Sequence, residues 1–350
     1  MKFIHCADLH LDSKMQTNLS PEYAATRNRE VLNTFENMVT YAQQQEVTGM
    51  IIAGDMFDTE YVSKETKQRV VNTINKHPQI DFIYLPGNHD ETNFIAQLTP
   101  KPTNLKLFNN TWQTFGYGTV KITGRASDEQ AVIRGDELHL LPQDINIVVL
   151  HGDIHQNINL NHFQQRNIDY LALGHLHSYS HGQLDARGIY CYAGCLEGRG
   201  FDECGPKGFV QLDIDTEQHK LKSQFVPFAK RQIVEIKIDL AGQSDWFAIE
   251  DQIMAQVQNI DHNNLLKIVL MGKYDLSLEK QTAMLSQKLD RFYAVKIKDE
   301  STLAISDHDI VHDVSLRGEF MRLVLASNLS DAEKERTIRY GLQALSGDRR

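Results

Sequence analysis

The chain has 350 residues, of which 41% are hydrophobic and 23% charged, a composition typical of a globular protein with one large domain or two of ordinary size. No apolar run approaches the roughly 20 residues of a membrane span, and the opening MKFIHCADLH reaches Asp8 and His10 before a signal-peptide core could form, so we expect a cytoplasmic protein. The formal net charge of −10 argues against a protein that coats nucleic acid by general electrostatics, although bound divalent cations could make a local site positive.

Short apolar runs alternate with amphipathic segments up to about Pro227, a pattern typical of an α/β sheet. The predicted strands are residues 2–7, 49–54, 80–85, 145–150 and 169–174, followed by the runs GIYCYAG and GFVQLDI. Apolar residues at helical spacing predict a helix over residues 24–45 and a second one around Val70, Val71 and Ile74. A polar piece at residues 159–167 is compatible with a further helix.

The pattern changes after residues 226–231. QIVEIKIDL alternates as an exposed strand would, residues 246–257 are predicted to be helical, and residues 264–271 are predicted to form a strand. Helices are predicted from about Asp313 to residues 345–347, and no His-rich or Gly-rich chemical motif occurs in this part. We therefore predict two domains, residues 1–228 and residues 229–350, the second being a smaller cap or interaction domain.

Polar side chains follow five of the predicted strands, at the carboxyl end of each. The five clusters are ADLHLD with Asp8 and His10, GDMFD with Asp55 and Asp58, GNHD with Asn88, His89 and Asp90, LHGD with His151, and GHLH with His175 and His177. Ligands of open α/β sheets bind outside the carboxyl ends of strands, so these clusters are expected to converge on one crevice. The glycines before Asp55, Asn88 and His175 would allow sharp turns there.

Carboxylate, amide and imidazole donors together suit Mn²⁺, Fe²⁺ or Zn²⁺. In Asp8-x-His10 and His175-x-His177, the spacing of two places both side chains on one face of an extended segment. Each cluster alone has a simpler explanation, because a single DxH or HxH pair is more often a surface pair, and Asp55 or Asn88 could serve a turn. All five together favour a site for two metal ions.

The four cysteines, Cys6, Cys191, Cys195 and Cys204, form no CxxC pair, which argues against a zinc ribbon or a redox motif. We interpret them as small buried thiols. A thiol–metal cluster of the last three with His181 is the alternative.

The order DxH, GDxxD, GNHD, a later His and GHxH resembles that of the calcineurin-like metallophosphoesterases. The segments IHCADLHLDS and DYLALGHLH resemble the SbcD-type DNA repair nucleases, particularly the YhaO-like branch. The resemblance covers residues 1–228 by motif, and the tail only by size, position and its GLQAL ending. It implies an α/β fold, a metallophosphoesterase-type β-sandwich flanked by helices, with a smaller α+β C-terminal cap domain. Asp12 stands where many SbcD-type chains have Gly, so the base of the site is expected to differ from theirs.

The same resemblance implies the ligands of both ions. Asp8, His10, Asp55 and His177 would hold the first, and Asp55, Asn88, His151 and His175 the second, with Asp55 bridging. A water between the ions would ionise near neutral pH and attack phosphorus in line, without a covalent enzyme intermediate. His151 is preferred to His155 because it directly follows a predicted strand. Mn²⁺ is the expected cofactor, with Fe²⁺ or Zn²⁺ as alternatives.

His89 and Asp90 are the implied catalytic residues. His89 would lie over the scissile phosphate and donate a proton to the leaving oxygen, while Asp90 would hold the other ring nitrogen. Asp58 is the expected carboxylate partner of a ligand histidine. A purely structural imidazole is the alternative for His89, whereas His155, His162 and His181 are expected at the surface or on the substrate side, and Asp153 beside a ligand.

The leading functional hypothesis is a Mn²⁺-dependent phosphodiesterase that cleaves DNA, an exo- or endonuclease of double-strand break repair. The resemblance implies an SbcC-like ATPase of the ABC class as partner, docked partly through the C-terminal helices, and a possible homodimer. Those helices could instead pack only on their own domain. A small-substrate metallophosphoesterase, either a cyclic-nucleotide phosphodiesterase or a phosphatase, is the first alternative, and a non-catalytic subunit is the second.

Overall fold

The structure is a computed structural model, and it describes residues 1–15, 19, 21–58, 62–88, 95, 98–126, 131–275, 278–304 and 314–345. The chain divides into two compact units, Met1–Ile233 and Val234–Arg350. Among the described helices, none has the length and apolar character that crossing a bilayer requires.

The first unit is built from twelve strands and two α-helices within its described residues. In chain order they are β1 (Lys2–Cys6), α1 (Pro21–Gln44), β2 (Gly49–Ala53), α2 (Lys64–Lys76), β3 (Asp81–Leu85), β4 (Leu105–Leu107), β5 (Gln113–Tyr117), β6 (Val120–Gly124), β7 (Ile145–His151), β8 (Tyr170–Gly174), β9 (Ser180–Gln183), β10 (Ile189–Tyr192), β11 (Gly208–Asp215) and β12 (Lys220–Pro227).

These strands form two six-stranded sheets. The first has the order β12-β11-β1-β2-β3-β4, in which β1 to β4 are parallel and β11 and β12 are antiparallel additions. The second has the order β5-β6-β7-β8-β10-β9, with a parallel centre and antiparallel strands at both edges. Because β1, β2 and β3 are parallel, as are β7 and β8, the polar clusters that follow them lie at the carboxyl ends of neighbouring strands.

In the described residues, the central strands of both sheets are buried on both faces, which explains why their sequences are almost continuously apolar. The inner faces of the two sheets pack on each other through residues such as Phe3, Ile51 and Val149. The outer face of the first sheet packs on α1 and α2, and the outer face of the second is covered mainly by loops. The predicted α/β fold, a β-sandwich flanked by helices, is confirmed.

The helix-compatible piece at residues 159–167 forms no α-helix. The structure has only a three-residue 3₁₀ helix there, Leu160–His162. Gln165 and Asn167 follow with φ of 58° and 60°, left-handed conformations that no α-helix contains. Apolar side chains, among them Phe163 and Ile168, are buried by this loop against the second sheet, so tertiary packing replaced the helical propensity that the composition indicated.

The second unit combines short sheets with helices. Its elements are β13 (Ile233–Asp239), α3 (Trp246–Val257), β14 (Leu265–Met271), β15 (Lys273–Tyr274), α4 (Thr282–Lys288), β16 (Ala294–Asp299), β17 (Thr302–Leu303), α5 (Leu316–Leu325) and α6 (Asp331–Leu345). One sheet has the order β13-β14-β16, and β15 pairs with β17. A core of its own, including Ile238, Ile253 and Leu266, holds this unit together. Its role as a cap stays a prediction.

Candidate metal centre

The predicted donor side chains come from five strand ends and meet in one place. Asp8 and His10 follow β1, Asp55 follows β2, Asn88 follows β3, His151 ends β7, and His175 and His177 follow β8. Four of these residues have a left-handed backbone, with φ of 50° at Asp8, 44° at His10, 51° at Asp55 and 103° at His175. Non-glycine residues rarely adopt such conformations, and functional sites are where they concentrate.

The glycines between these strands and their clusters leave no room for a side chain. A Cβ on Gly54 would lie 2.0 Å from Nδ1 of His151, and a Cβ on Gly87 would lie 2.2 Å from Oδ1 of Asp55. A Cβ on Gly174 would lie 1.8 Å from the carbonyl oxygen of Ala53. Close approach of the chain segments at this edge therefore requires glycine at these positions.

Within the described residues, two groups of side chains bring possible metal ligands within 4.8 Å of one another. Asp8, His10 and His177 form the first group, and Asp8, Asp55 and His151 form the second. Both groups contain Asp8, whereas the bridging role was expected of Asp55. Oδ2 of Asp55 nevertheless lies 3.8 Å from Nε2 of His10 and 3.4 Å from Nε2 of His151, so it is also close to both groups.

The first group brings two imidazole rings together edge-on, with their planes at 67° and their centroids 4.9 Å apart. Nε2 of His10 lies 3.1 Å from Nε2 of His177. On the far side of each ring, Nδ1 contacts a carboxylate, at 3.0 Å from Asp58 for His10 and 2.6 Å from Glu203 for His177. A carboxylate neighbour favours the proton on Nδ1, which leaves a lone pair on Nε2 of each neutral ring.

In the second group, too, a hydrogen bond at Nδ1 orients the histidine so that Nε2 faces the other donors. Nδ1 of His151 donates a hydrogen bond of 2.9 Å to the carbonyl oxygen of Ala53. Nε2 of His151 then faces Oδ1 of Asn88 at 3.0 Å and the Asp55 carboxylate. The His175 ring lies edge-on to the His151 ring with centroids 5.4 Å apart, and its backbone N–H donates to both oxygens of Asp8 at 3.0 and 3.1 Å.

This donor set fits divalent metal ions. Two lone pairs that face each other at about 3 Å repel unless a proton or a cation lies with them. Two ligand atoms bound at right angles to one ion, with bonds of about 2.1 Å, lie about 3 Å apart, which matches both the His10–His177 and the His151–Asn88 spacing. Asp8 and Asp55 are at most 2% exposed, and buried carboxylates need a compensating positive charge.

Asp55 controls the charge of its histidine neighbour. Burial alone would lower the pKa of His151, but its contact with the Asp55 carboxylate outweighs burial and raises the pKa to about 9. A positive charge is therefore favoured in this pocket, carried by a proton on the ring or by a cation in its place.

A second layer of charged residues surrounds the first group. Arg199 donates to Oδ1 of Asp58 at 2.7 Å and to Oε1 of Glu203 at 3.0 Å from Nη2 and 3.2 Å from Nε. Burial alone would raise the pKa of Asp58, but its contacts with His10 and then Arg199 lower it to about 2. The Glu203 carboxyl likewise has its pKa held below its usual range, since hydrogen bonding from His177 and the charge of Arg199 outweigh burial.

The backbone of His177 is also anchored. Its carbonyl oxygen accepts a 2.6 Å hydrogen bond from the ammonium group of Lys207 and a 3.3 Å bond from the backbone N–H of Cys195. Lys207 is 3% exposed.

The structure places the remaining predicted residues as follows. His89 and Asp90 lie outside the described residues, so their catalytic roles stay predictions. His155 and His181 are exposed and His162 is half-buried. Asp153 accepts hydrogen bonds from the backbone N–H of His155 and from Gln156, a local turn arrangement.

Three of the cysteines, Cys6, Cys191 and Cys195, are buried, and Cys204 is half-buried. Burial raises the pKa of Cys191 to about 11, which makes its thiolate scarce at neutral pH. In the described parts of the chain, neither candidate metal group contains a cysteine.

Sequence reasoning missed Arg199, Glu203 and Lys207, which lie in the segment between β10 and β11. A signal was available. Five charged residues, Glu197, Arg199, Asp202, Glu203 and Lys207, stand among Gly and Cys residues between two apolar runs, a place where charged residues need partners.

Comparison with known proteins agrees with this geometry. The sequence model of the family described as calcineurin-like phosphoesterase matches residues 1–179. The chain is 24% identical to the "DNA double-strand break repair protein Mre11" of Sulfurisphaera tokodaii over 370 aligned positions, covering 95% of this chain and 90% of that protein. It is 24% identical to a Staphylococcus epidermidis protein named as a subunit of the nuclease SbcCD, over 281 positions that cover 67% of this chain and 72% of that protein.

A third relative is the "Uncharacterized metallophosphoesterase YhaO" of Bacillus subtilis, 23% identical over 237 positions that cover 61% of this chain and 57% of that protein. The resemblance to SbcD-type and YhaO-like proteins is thus confirmed at low identity. With more than half of its 350 residues matched by the family model, the chain belongs to the calcineurin-like phosphoesterase family.

Proposed function

We propose that this chain is a two-metal-dependent phosphodiesterase that cleaves DNA, an exo- or endonuclease of double-strand break repair. The observation that carries the proposal is the convergence of largely buried Asp and His side chains from separate strand ends into two adjoining donor groups. Relatives named as a DNA double-strand break repair protein and as part of a nuclease support the choice of DNA, and the first of them aligns with 95% of this chain.

In this proposal, Asp8, His10, Asp55 and His177 hold one ion, and Asp55, Asn88, His151 and His175 hold the other. Divalent ions bound there would offset the charge of a phosphodiester and lower the pKa of water. The oxygen and nitrogen donors suit Mn²⁺, our proposed cofactor, and also Fe²⁺ or Zn²⁺.

The residues of the chain perform the positioning. Ala53, through its carbonyl oxygen, fixes the tautomer and orientation of His151. The Asp58 carboxylate fixes the tautomer and orientation of His10, and the Glu203 carboxylate fixes those of His177. Ligand atoms that are already close together before an ion binds lose little conformational entropy on binding it, which raises affinity.

His89 is proposed as the residue that donates a proton to the leaving oxygen, and Asp90 as the partner of its second ring nitrogen. Their position directly after the predicted ligand Asn88 supports this assignment. General acid catalysis of this kind contributes about 10²- to 10⁴-fold to the rate.

The second unit is proposed to bind an ABC-class ATPase of the SbcC type. The name of one relative describes it as part of a multi-subunit nuclease. Helices α5 and α6 bury Met321 and Ile338 in their own unit but expose Leu316 (71%), Leu323 (65%) and Tyr340 (59%). A homodimer and a cytoplasmic location belong to the same proposal.

The net charge of −10 favours a second candidate function, hydrolysis of small phosphodiesters or phosphomonoesters. Both candidates use the same metal centre, so only the substrate separates them.

The test is a metal panel on purified protein with two substrate types, end-labelled linear duplex DNA and small esters such as cyclic nucleotides and bis(p-nitrophenyl) phosphate. We expect Mn²⁺-dependent DNA cleavage that His89→Ala reduces about 10²-fold or more without loss of bound metal. His181→Ala is the matched control, an exposed histidine outside the donor groups. Activity on small esters alone would favour the second candidate, and full activity of His89→Ala would refute its role.

A further inference from the structure

One guanidinium lies behind both histidines of the first donor group. Arg199 contacts Asp58 through Nη1 at 2.7 Å and Glu203 through Nη2 at 3.0 Å. Its backbone N–H also donates to Oε2 of Glu203 at 2.7 Å. Asp58 in turn contacts His10, and Glu203 contacts His177.

The two carboxylates reach this place from distant parts of the chain. Asp58 follows β2, whereas Glu203 lies between β10 and β11, which belong to different sheets. Without a cation between them, two carboxylates held this close would repel each other. The side chains of Asp58, Arg199 and Glu203 are only 19%, 18% and 9% exposed, so water screens them weakly.

The shape of arginine matters here as well as its charge. A planar guanidinium offers donors in fixed directions and can serve two carboxylates at once, whereas a lysine ammonium on a flexible stem acts as a single point charge. Nη2 of Arg199 also lies 3.2 Å from Nδ1 of His177, which places the guanidinium edge directly behind that ring.

We propose that Arg199 is a positioning residue of the metal centre: it joins the Asp58 and Glu203 carboxylates so that His10 and His177 are held with their Nε2 atoms facing each other. This inference rests on the proposed function, because it takes both histidines as ligands of the first ion. It predicts that Arg199 acts on metal affinity through His10 and His177 and makes no contact with the substrate.

The expected size of the effect follows from other metal sites, where loss of a partner behind a ligand weakens metal binding about 10- to 100-fold. Arg199→Ala should weaken the first ion by about this factor and the second ion less. Arg199→Lys should bind the first ion with intermediate affinity, because a lysine can pair with one carboxylate at a time.

The control is Arg187→Ala. Arg187 is also largely buried, with its side chain 25% exposed, and also forms a two-point contact with a carboxylate, that of Asp169 at 2.9 and 2.8 Å. It contacts none of the predicted ligands in the described hydrogen bonds, so its loss should lower stability without changing the metal centre.

The experiment uses the full chain, cleared of metal with a chelator and titrated with Mn²⁺ by calorimetry and with Co²⁺ by visible absorption. The Co²⁺ spectrum reports the ligands directly, so a purely structural role for Arg199 would leave it unchanged. We expect Arg199→Ala to alter the Co²⁺ spectrum and to weaken one of the two bound equivalents about 10- to 100-fold, and Arg187→Ala to reproduce the parent protein.

The proposal is overturned if Arg199→Ala binds both equivalents with the affinities and spectrum of the parent. If Arg199→Ala does not fold, Glu203→Gln decides the matter: it retains an acceptor for His177 but removes the charge, and it must weaken the first ion by about 10-fold or more. Parental affinity in Glu203→Gln would equally overturn the proposal. Failure of the parent protein to bind two ions would instead refute the proposed function.

Discussion

Gly174→Ala tests whether the close approach of the two sheets creates the metal centre. Gly174 ends β8 and directly precedes His175. A Cβ at this position would lie 1.8 Å from the carbonyl oxygen of Ala53 and 2.8 Å from Nδ1 of His151. Since Cβ contacts below 3.0 Å essentially never occur, the ends of β8 and β2 must separate by more than an ångström.

The expected loss of stability follows from this displacement. Overpacking of a well-packed interior costs about 1–3 kcal/mol, and for a unit of this size each kcal/mol lowers Tm by about 2–4 °C. The carbonyl oxygen of Ala53 is also the acceptor that orients His151. When it moves, metal affinity should fall about 10- to 100-fold, although no ligand has been replaced.

Thermal unfolding monitored by circular dichroism and calorimetric titration with Mn²⁺ measure both effects. The matched control is Gly116→Ala in the exposed edge strand β5, where the nearest atom to a new Cβ is Nζ of Lys121 at 3.4 Å. It should leave both quantities nearly unchanged. If Gly174→Ala keeps the Tm and the metal affinity of the parent, the inference that glycine is required here is refuted.

Further predictions concern stability and partner binding. Arg27 is fully buried between Glu30 and Glu197, so Arg27→Met should lower the free energy of unfolding, measured in urea, by about 3–5 kcal/mol. Arg69→Ala, at the more exposed pair with Glu36, should lower it by less than about 1 kcal/mol. Equal losses would contradict this. Burial alone would raise the pKa of Glu30, but hydrogen bonds, first that from Arg231, lower it to about 2. The contribution of the Glu30 carboxylate to stability is therefore complete above its unfolded pKa of about 4.5 and is lost as the pH falls through about 2. The difference in unfolding free energy between the parent and Glu30→Gln should shrink over that interval, and a widening difference would contradict this. If the proposed SbcC-type ATPase binds α5, Leu323→Asp on its exposed face should reduce capture of that ATPase at least about 10-fold, as expected for loss of an apolar contact worth about 1.4 kcal/mol or more, without changing metal binding. Unchanged capture would exclude this face.

The central strands could be predicted from the sequence because both faces of each are buried. Residues 49–54 and 145–150 are continuously apolar runs, and β2 and β7 occupy these places. The helix predicted at residues 24–45 was equally clear, since Val31, Phe35 and Met38 lie on one buried face. The convergence of the polar clusters followed from the order of these strands, because the carboxyl ends of parallel neighbours share one edge, whereas the role of each residue came from the family resemblance.

The edge strands and the charged second layer could not be predicted in the same way. β9 (SHGQ) has no apolar pattern and forms a strand only because β10 offers it hydrogen bonds. Glu203 and Arg199 resemble surface residues in the sequence, and their burial depends on Asp58, which is 141 positions from Arg199. Such a long-range electrostatic partnership leaves no periodic signal in the local sequence.

The left-handed residues of the metal centre show what the fold must supply at this site. For ordinary residues this conformation costs about 1–2 kcal/mol each, and although Asp and His adopt it more often than most residues, Asp8, His10 and Asp55 would rarely all adopt it in an isolated peptide. Backbone hydrogen bonds between the segments after β1 and β2 compensate, including Asp8 N–H to the Gly54 carbonyl at 3.1 Å and His10 N–H to the Asp55 carbonyl at 3.0 Å. Each segment thereby holds the other in the conformation that presents its candidate ligands.

The same segment explains how Asp12 can stand where many SbcD-type chains have glycine. Its φ is 67°, a conformation in which glycine is unstrained and Asp is among the better-tolerated alternatives. The Asp12 carboxylate accepts a hydrogen bond from the backbone N–H of Ser63, the N-cap residue of α2. This contact ties the segment after β1 to the helix that follows β2, so the Asp12 side chain anchors a backbone conformation in which glycine would be unstrained.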